Sequence, residues 1–365
     1  MTLPPPPMRF GVFLQPLHSV RENPTLALER DMQLLEHLDA LGFDEAWIGE
    51  HHSTGWELIA SPEIFIAAAA ARTRSIKLGT GVVQLAIHHP FHVADRMVLL
   101  DHLTRGRAML GVGVGGGLPS DLYVFGVEIV DAQPRFEQAF DLIMRMLTTV
   151  EPITERTDWY EVREALLQVR PYTYPYFPVA VASDNPINLE RVGRWGARWL
   201  AGARADRIPE LREHLERGAQ SAGRIADPSQ ITMVTQMHLA DTRQRALDET
   251  RTGAAHEAFD FAAGVNGHPE PAVSRDSWVD QLAETRAIIG TPDDAIAAIQ
   301  RMVDASGGFG TLLLTVKEWA DREAMFRSYE LFARHVMPHF QGTLPSLAVA
   351  ANVAGRFNKA RTPAK

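Results

Sequence analysis

Short runs of apolar residues alternate with longer stretches in which apolar residues recur every three or four positions. The run at residues 10–14 precedes a stretch at 24–41, where Leu28, Met32 and Leu35 lie on one apolar stripe. Such spacing is typical of an amphipathic helix, and a short unbroken run is typical of a buried strand. The chain therefore begins with a predicted strand followed by a helix.

The same strand-then-helix unit recurs along most of the chain. Further apolar runs stand at residues 46–48, 76–83, 108–112, 179–181, 199–200, 231–239 and 311–316. Helical patterns cover 62–72, 90–103, 134–147, 189–194, 208–222 and 323–335, with two more opening at 242 and 291. This alternation predicts a parallel sheet with both faces buried. Eight units close naturally into a (β/α)₈ TIM barrel, to which an open doubly wound sheet is the alternative.

We assign residues 8–345 to one barrel domain that follows a proline-rich lead-in at 1–7. Two insertions interrupt the alternation. Residues 151–177 carry six aromatic residues and predict a hairpin excursion, and 261–290 predict a long loop with some helix, a candidate lid. Residues 346–365 have no clear apolar period and end in a basic stretch, so we expect a mobile tail.

Composition narrows the class of protein. The chain has 365 residues, 45% of them hydrophobic, which is enough for a large buried core. Its net charge of −9 argues against a nucleic-acid partner or an anionic membrane surface. It has no cysteine, so disulfides, a thiolate nucleophile and thiolate metal ligands are excluded. No secretory signal and no apolar run of membrane-spanning length is visible, so we expect a cytoplasmic enzyme.

The position of polar residues relative to the strands indicates where chemistry takes place. In a TIM barrel, residues directly after a strand lie on the catalytic face. Glu50, His51 and His52 follow the second strand, and a histidine there can move a proton near neutral pH. A structural, hydrogen-bonded pair of histidines remains an alternative. So does a metal site completed by His88 and His89, although no HxH motif on the first strand supports it.

A glycine run, GVGVGGG at residues 111–117, follows the fourth strand. Glycines let a backbone approach a planar or phosphate-bearing ligand closely, although a flexible turn explains such a run equally well. The similar run at 307–310 precedes the eighth strand, so we interpret it as a turn on the stability face.

Residues 183–188 (SDNPIN) follow the fifth strand and open a helix. Asp184 or Asn185 can serve as the N-cap, or the same groups can hold a phosphate at the helix start. Arg135, near the start of the fourth helix, is a candidate cationic partner, with a solvated surface arginine as the alternative.

Several motifs together resemble the bacterial luciferase-like flavin-dependent monooxygenase family. The matching segments follow in the family's order over roughly residues 8–340: 42–52 (GFDEAWIGEHH), 76–83 (IKLGTGVV), 89–90 (HP), 100–107 (LDHLTRGR), 111–113 (GVG), 290–294 (GTPDD) and 336–338 (VMP). Residues 305–311 (ASGGFGT) are most similar to the limonene and diketocamphane monooxygenase branch.

The resemblance implies a barrel that binds reduced FMN at its catalytic face. His51 matches the histidine needed for flavin-peroxide chemistry, with Glu50 beside it, and Gly81-Val82 matches a non-proline cis peptide beneath the flavin ring. The remaining cofactor positions implied by the family are Gly113, Val114 and Gly115 near the flavin, and Arg135, Ser183, Asp184, Asn185 and Asn188 on its phosphate side.

The chain departs from luciferase at two of these positions. Gly113 stands where luciferase has a reactive cysteine, and Val114 stands where it has an arginine phosphate ligand. We therefore do not expect light emission, and we expect weak flavin binding. Weak binding suits a two-component system in which a separate flavin reductase supplies reduced FMN. The family also implies a homodimer.

The resulting hypothesis is that reduced FMN and O₂ form a C4a-peroxyflavin, with His51 as general base or hydrogen-bond partner, and oxygenate a small apolar terpene, ketone or aldehyde. An F420-dependent oxidoreductase on the same barrel is the main alternative, although residues 50–52 (EHH) favour FMN. A non-catalytic flavin-binding protein and a metal hydrolase remain open.

Overall fold

A computed structural model describes residues 7–15, 17–202, 204–342 and 344–361, with side chains as far as residue 358. The lead-in predicted at residues 1–7 and the last four residues of the tail lie almost entirely outside the described part.

Strands occupy all eight predicted apolar runs and also parts of the two predicted insertions. They are β1 (Arg9–Leu14), β2 (Glu45–Ile48), β3 (Lys77–Thr80), β4 (Val83–Gln84), β5 (Ala108–Gly113), β6 (Ile153–Arg156), β7 (Glu161–Ala165), β8 (Val179–Ala182), β9 (Arg198–Ala201), β10 (Ile231–Leu239), β11 (Ala287–Gly290) and β12 (Thr311–Val316). The run predicted at residues 76–83 is split into β3 and β4 by Gly81 and Val82, which join through a cis peptide bond.

Eight of these strands form a closed ring. Parallel pairing runs from β1 through β2, β3, β5, β8, β9, β10 and β12 and returns to β1. The pairing of β9 with β10 closes the ring, which excludes an open doubly wound sheet. The chain therefore folds as the predicted (β/α)₈ barrel.

Helices separate the strands and cover the outside of the ring. They are α1 (Pro24–Leu41), α2 (Pro62–Arg72), α3 (Pro90–Thr104), α4 (Pro119–Val124), α5 (Ile129–Thr148), α6 (Pro186–Trp195), α7 (Ile208–Ser221), α8 (Arg243–Ala255), α9 (Arg275–Thr285), α10 (Pro292–Ser306), α11 (Arg322–Leu331), α12 (Met337–Phe340) and α13 (Leu344–Arg361). Two π-helical segments, His256–Ala263 and Phe332–Val336, extend α8 and α11. No helix in the described ranges is long and apolar enough to span a membrane.

Local sequence explains where the helices begin and end. The Asn23 side chain accepts a hydrogen bond from the backbone N–H of Thr25 at the start of α1, and Gly42 ends that helix with a φ of 81°. A side-chain oxygen satisfies a free N–H at a helix start, and glycine takes the left-handed conformation without steric cost. Thr291 and Asp294 form a reciprocal capping box at the start of α10.

The inside of the barrel is filled by large side chains. Trp47 is fully buried and packs in one cluster with Met109, Leu200 and Leu313. A Cβ on Gly111 would lie 2.9 Å from the Trp47 ring and 2.1 Å from a backbone oxygen, so only glycine leaves room there. The barrel is therefore a packed core rather than a pore.

The floor of the barrel, at the amino ends of the strands, holds a buried ion pair. Arg198 donates to both carboxylate oxygens of Glu45, at 2.9 and 3.0 Å, and to the hydroxyls of Thr232 and Thr311, both at 2.9 Å. Its guanidinium also lies 5.5 Å from the centre of the Trp47 ring. A charge that is out of water needs such partners, so this cluster ties four strands together.

Three segments differ from their predictions. Helix α5 begins at Ile129 rather than at Pro134, which lies inside it. The predicted loop at 261–290 ends in a strand, β11. Most of the expected mobile tail forms the exposed helix α13, which has no apolar stripe. The hairpin predicted at 151–177 is present as β6 and β7.

Strand β10 is long enough to pair with two strands along one edge. Residues 231–233 pair with β9, and residues 236–239 pair with β11, while β12 occupies the opposite edge over residues 232–236. Strand β11 therefore returns the excursion at residues 240–286 to the barrel rim.

Candidate active site at the barrel mouth

The loops that follow β2, β4 and β5 meet at the carboxyl end of the barrel. His51 comes directly after β2, and Gln84 ends β4. The glycine run follows β5 and leads into α4, which carries Asp121. Because parallel strands end on the same rim, these distant stretches of sequence come together there, on the face where His51 is expected.

His51 lies between two carboxylates. Its Nδ1 is 2.9 Å from Oδ2 of Asp121, and its Nε2 is 3.4 Å from Oε2 of Glu57. Burial alone would lower the pKa of His51, but the hydrogen bond to Asp121 and the charges of Glu57, Asp121 and Glu50 outweigh it, so the pKa is raised. The side chain keeps 22% of its surface exposed, so Nε2 is placed to exchange a proton at the mouth.

Asp121 organises the loop around His51. Besides His51 it accepts hydrogen bonds from the backbone N–H of His52 at 2.9 Å, from the Ser53 hydroxyl at 2.6 Å and from Nε2 of Gln84 at 2.8 Å. Burial opposes its ionisation, but these donors outweigh burial and hold its pKa well below the usual range. Asp121 is thus a fixed anion that orients the imidazole. The sequence analysis missed it, and the only sequence signal is its place just after the glycine run.

Glu50 serves the neighbouring histidines rather than His51. One oxygen, Oε1, accepts hydrogen bonds from Nε2 of His52 at 2.8 Å and from Nε2 of His88 at 2.7 Å. Burial would raise the pKa of Glu50, but these two hydrogen bonds outweigh it and the pKa is lowered. Its other oxygen is buried without a partner in the described part of the chain.

Glu50, His52 and His88 form a group beside His51 that could hold a cation. One ligand atom from each of Glu50, His52 and His88 lies within 4.8 Å of the others. As the side chains stand, each imidazole nitrogen uses its proton to bind the carboxylate, so a metal would have to replace those two hydrogen bonds. Oε1 of Glu50 is therefore already occupied by two hydrogen bonds. His89, the fifth residue of the possible metal site, meets the Tyr160 ring edge to face instead.

The predicted flavin-ring positions cluster around the cis peptide. The bond between Gly81 and Val82 is cis, as the sequence predicts. A Cβ on Gly113 would lie 2.7 Å from Cγ2 of Val82, so the two segments touch through a glycine. Gly115 has a φ of +92°, which favours glycine. The Val114 side chain is partly buried and packs against a small apolar cluster that includes Leu122.

The predicted phosphate positions lie at the start of α6. Asn185 caps this helix by accepting from the backbone N–H of Ile187 at 3.0 Å. The Ser183 hydroxyl oxygen accepts from the backbone N–H of Asn185 at 3.1 Å and from Nδ2 of Asn188 at 3.0 Å. Its proton is left to donate. Asp184 is exposed beside them.

Two predicted phosphate ligands are engaged elsewhere. Asn188 is fully buried and exchanges two hydrogen bonds with Gln133, at 2.7 and 3.2 Å. Arg135 lies over the Trp159 ring at 5.3 Å and donates to the backbone oxygen of Ala86 at 3.4 Å. The structure therefore places Asn188 behind Ser183 and Arg135 beside the β6–β7 hairpin.

Removing the Asp121 charge should change the pH dependence of His51. In Asp121→Asn the hydrogen-bonded anion that keeps the His51 pKa raised is lost while burial remains, so that pKa should fall. A reaction that needs neutral His51 should then reach its full rate at lower pH than in the wild type. The check is an NMR titration of the His51 ring together with the pH profile of kcat/KM.

Ser53→Ala is the matched control, because it removes a donor to Asp121 but leaves the charge in place. Its His51 titration should stay close to that of the wild type. An unchanged His51 titration in Asp121→Asn would show that this carboxylate does not set the proton affinity of the histidine.

The matching family model and two relatives that cover most of this chain are described as monooxygenases. The model of the luciferase-like monooxygenase family matches residues 8–308. A 4-hydroxyprotoasukamycin monooxygenase of Streptomyces nodosus subsp. asukaensis is 44% identical over 353 residues, covering 93% of this chain and 94% of the relative. Limonene 1,2-monooxygenase of Rhodococcus erythropolis is 40% identical over 341 residues, covering 92% and 87%.

A solved structure shares the fold. The oxygenating constituent of 3,6-diketocamphane monooxygenase from Pseudomonas putida, in complex with FMN, aligns with a TM-score of 0.77 at 23% identity. The alignment covers 91% of this chain and 98% of that one. At this level of identity the match supports the barrel architecture alone.

Proposed function

This chain is a member of the luciferase-like monooxygenase family, and we propose that it uses reduced FMN and O₂ to oxygenate a small, mainly apolar molecule at the barrel mouth. The observation that carries the proposal is the pairing of His51 with the buried Asp121 on the face that also holds the glycine run and the Gly81-Val82 cis peptide. An oriented histidine beside a surface made for a planar ligand is what such chemistry requires.

Several residues at the mouth support flavin binding. Gly81, Gly113 and Gly115 carry no side chain, and Val82 offers an apolar surface for a ring. Val114 would contribute its backbone beside them, with its side chain packed against the cluster of Leu122. These residues would hold the ring system, which fits the close backbone approach allowed by glycine.

The phosphate would bind at the start of α6. The free proton of the Ser183 hydroxyl supplies a donor, and helix starts favour anions, although Pro186 has no N–H and the N–H of Ile187 is already bound to Asn185. Asn185 holds the turn, and Asn188 fixes the hydroxyl of Ser183. The Asp184 carboxylate would repel a phosphate, so only its backbone N–H fits this role. Arg135 would have to leave the Trp159 ring to contribute its charge.

Reduced FMN, when bound, supplies the electrons that activate O₂. The protein's part is to move a proton and to exclude water. With Nδ1–H of His51 held by Asp121, Nε2 is the atom that accepts a proton and returns it. Burial raises the pKa of Glu57, which stands 3.4 Å from Nε2, so this carboxyl group can exchange the proton with His51.

The same proposal includes the source of reduced FMN, the cellular compartment and the oligomeric state. The chain offers the flavin no cysteine at Gly113 and no arginine at Val114, which supports brief binding and delivery of reduced FMN by a separate reductase. We further propose that the enzyme works in the cytoplasm and as a homodimer.

A cofactor comparison tests the proposed function. We expect O₂ uptake and a product with one atom from ¹⁸O₂ when limonene, a cyclic ketone or an aldehyde is supplied with FMN and a generic flavin reductase. Reduced F420 should give no product, because the proposal assigns the mouth to FMN. Product mass and O₂ uptake are the readouts.

Each other outcome identifies a different function. Substrate reduction or oxidation with F420 and without O₂ would overturn the proposal in favour of an F420-dependent oxidoreductase. Tight flavin binding with no product would indicate a flavin-binding protein. Hydrolysis that a chelator abolishes would indicate a metal hydrolase.

A further inference from the structure

A cavity lies between the barrel rim and the excursion at residues 240–286. Its volume is about 270 Å³. A single buried water needs only about 10–15 Å³ by the same kind of measure, so the cavity has room for a small organic molecule. It lies at the carboxyl end of β10, on the same rim as His51.

The walls of this cavity combine apolar and aromatic side chains, among them Trp278, Leu282 and Trp319, with polar side chains that include His268 and Arg286. The Glu257 carboxylate also lines it, but one oxygen accepts from Nζ of Lys317 at 2.6 Å and the other from Nε1 of Trp319 at 2.7 Å. Small-molecule sites typically combine apolar walls with a few polar groups that orient the ligand.

Gln236 is a wall residue whose side-chain amide oxygen has no hydrogen-bond donor in the described part of the chain. This oxygen, Oε1, is buried. Val234, two residues earlier on β10, packs against the interior cluster around Trp47. Residues two apart on a strand face the same side, so Gln236 points into the barrel mouth. A buried acceptor without a donor is unfavourable unless a ligand supplies one.

The excursion that covers the cavity packs against the loop of the catalytic histidine. The Trp56 ring lies 5.0 Å from His256 and 5.5 Å from Phe261, both in the π-helical segment after α8. The next residue, Glu57, is the carboxylate that faces His51. The cavity and the proton-transfer centre are therefore joined through one loop.

We propose that this cavity is the substrate pocket and that the Gln236 amide oxygen accepts a hydrogen bond from a hydroxyl group of the substrate. The preferred substrates are then hydroxyl-bearing apolar molecules, such as cyclic terpene alcohols or phenols, rather than plain hydrocarbons. A site built to bind a hydroxyl group rejects an analogue that lacks it. This inference rests on the proposed function, since it names the substrate class of the same active site.

Binding to flavin-free protein tests the assignment without any reaction. The probes are limonene and carveol, which is limonene with one added ring hydroxyl, and the readout is the intrinsic tryptophan fluorescence, to which Trp278 and Trp319 in the cavity wall contribute. The wild type should bind carveol about tenfold more tightly than limonene. In Gln236→Met, which keeps the length of the side chain but removes the acceptor, the preference should fall to within about twofold.

Two further variants keep the test decisive. Gln236→Glu retains an acceptor and should retain the preference for carveol. Gln300→Leu, on the exposed face of α10, should behave like the wild type. Equal affinity of the wild type for both probes, no binding of either, or an unchanged preference in Gln236→Met would overturn the pocket assignment. If FMN-dependent product still forms in any of those cases, the proposed function stands and only this inference fails.

Discussion

Replacing His51 with alanine should lower the rate of product formation by at least about a hundredfold, while flavin affinity stays within severalfold of the wild type. The reason is that the proposed function assigns proton exchange to Nε2 of His51, whose ring Asp121 holds from the other side. The glycine run and the start of α6, which would hold the flavin, are untouched by the change. The measurements are product yield under steady supply of reduced FMN and a flavin titration of each protein.

His52→Ala is the matched control. Its backbone N–H still donates to Asp121, and its lost side chain contacts Glu50 rather than His51. We therefore expect a much smaller loss of rate, less than about tenfold. Full activity in His51→Ala, or equal losses in both variants, would remove His51 from its proposed role.

The second large effect is expected on stability, at the barrel floor, which lies at the opposite end of the strands from the proposed active site. Arg198→Met removes the guanidinium that binds both oxygens of Glu45 and the hydroxyls of Thr232 and Thr311. The Glu45 carboxylate would keep only Arg9, 3.2 Å away, as a charged partner. Breaking a buried pair from one side costs about 3–5 kcal/mol, so the free energy of unfolding should fall by about 3 kcal/mol or more.

Chemical denaturation followed by circular dichroism measures this loss. Arg194→Met, at an exposed position of α6, is the control and should change stability by less than about 0.5 kcal/mol. The double variant Glu45→Leu with Arg198→Met should be more stable than Arg198→Met, because no buried carboxylate is left without its partner. If Arg198→Met lies within about 1 kcal/mol of the wild type, the floor cluster does not hold the strands together.

The barrel can be predicted from the sequence because strands that are buried on both faces consist mainly of apolar residues. Strands such as Ile231–Leu239 and Thr311–Val316 are mainly apolar runs, and their bounds in the structure match the prediction. Strand β11 escapes detection because it lies at the end of residues 261–290, whose sequence predicts a long loop with some helix. Its partner on β10 lies about fifty residues earlier, so pairing rather than local pattern defines it.

The sequence predicts those site residues that directly follow a strand, because such residues lie on the catalytic face of the barrel. His51 is identified because it follows β2, and the Gly81-Val82 peptide is identified by resemblance to the family. Asp121 and Glu57 are not, because their contacts with His51 depend on how separate loops fold back over the mouth. No periodic pattern records such a contact between residues 51 and 121.

The excursion at residues 240–286 leaves the end of β10 and returns as β11 to pair with that same strand. The pairing is parallel and sets Ala287 beside Gln236, so the sheet fixes the positions of both ends, whatever lies between them. Lengthening a loop with fixed ends adds little entropic cost. Relatives can therefore lengthen, shorten or replace this cover without shifting the eight barrel strands. In evolutionary terms, substrate range and proton chemistry are inherited on separate stretches of the gene, and one can change while the other is conserved.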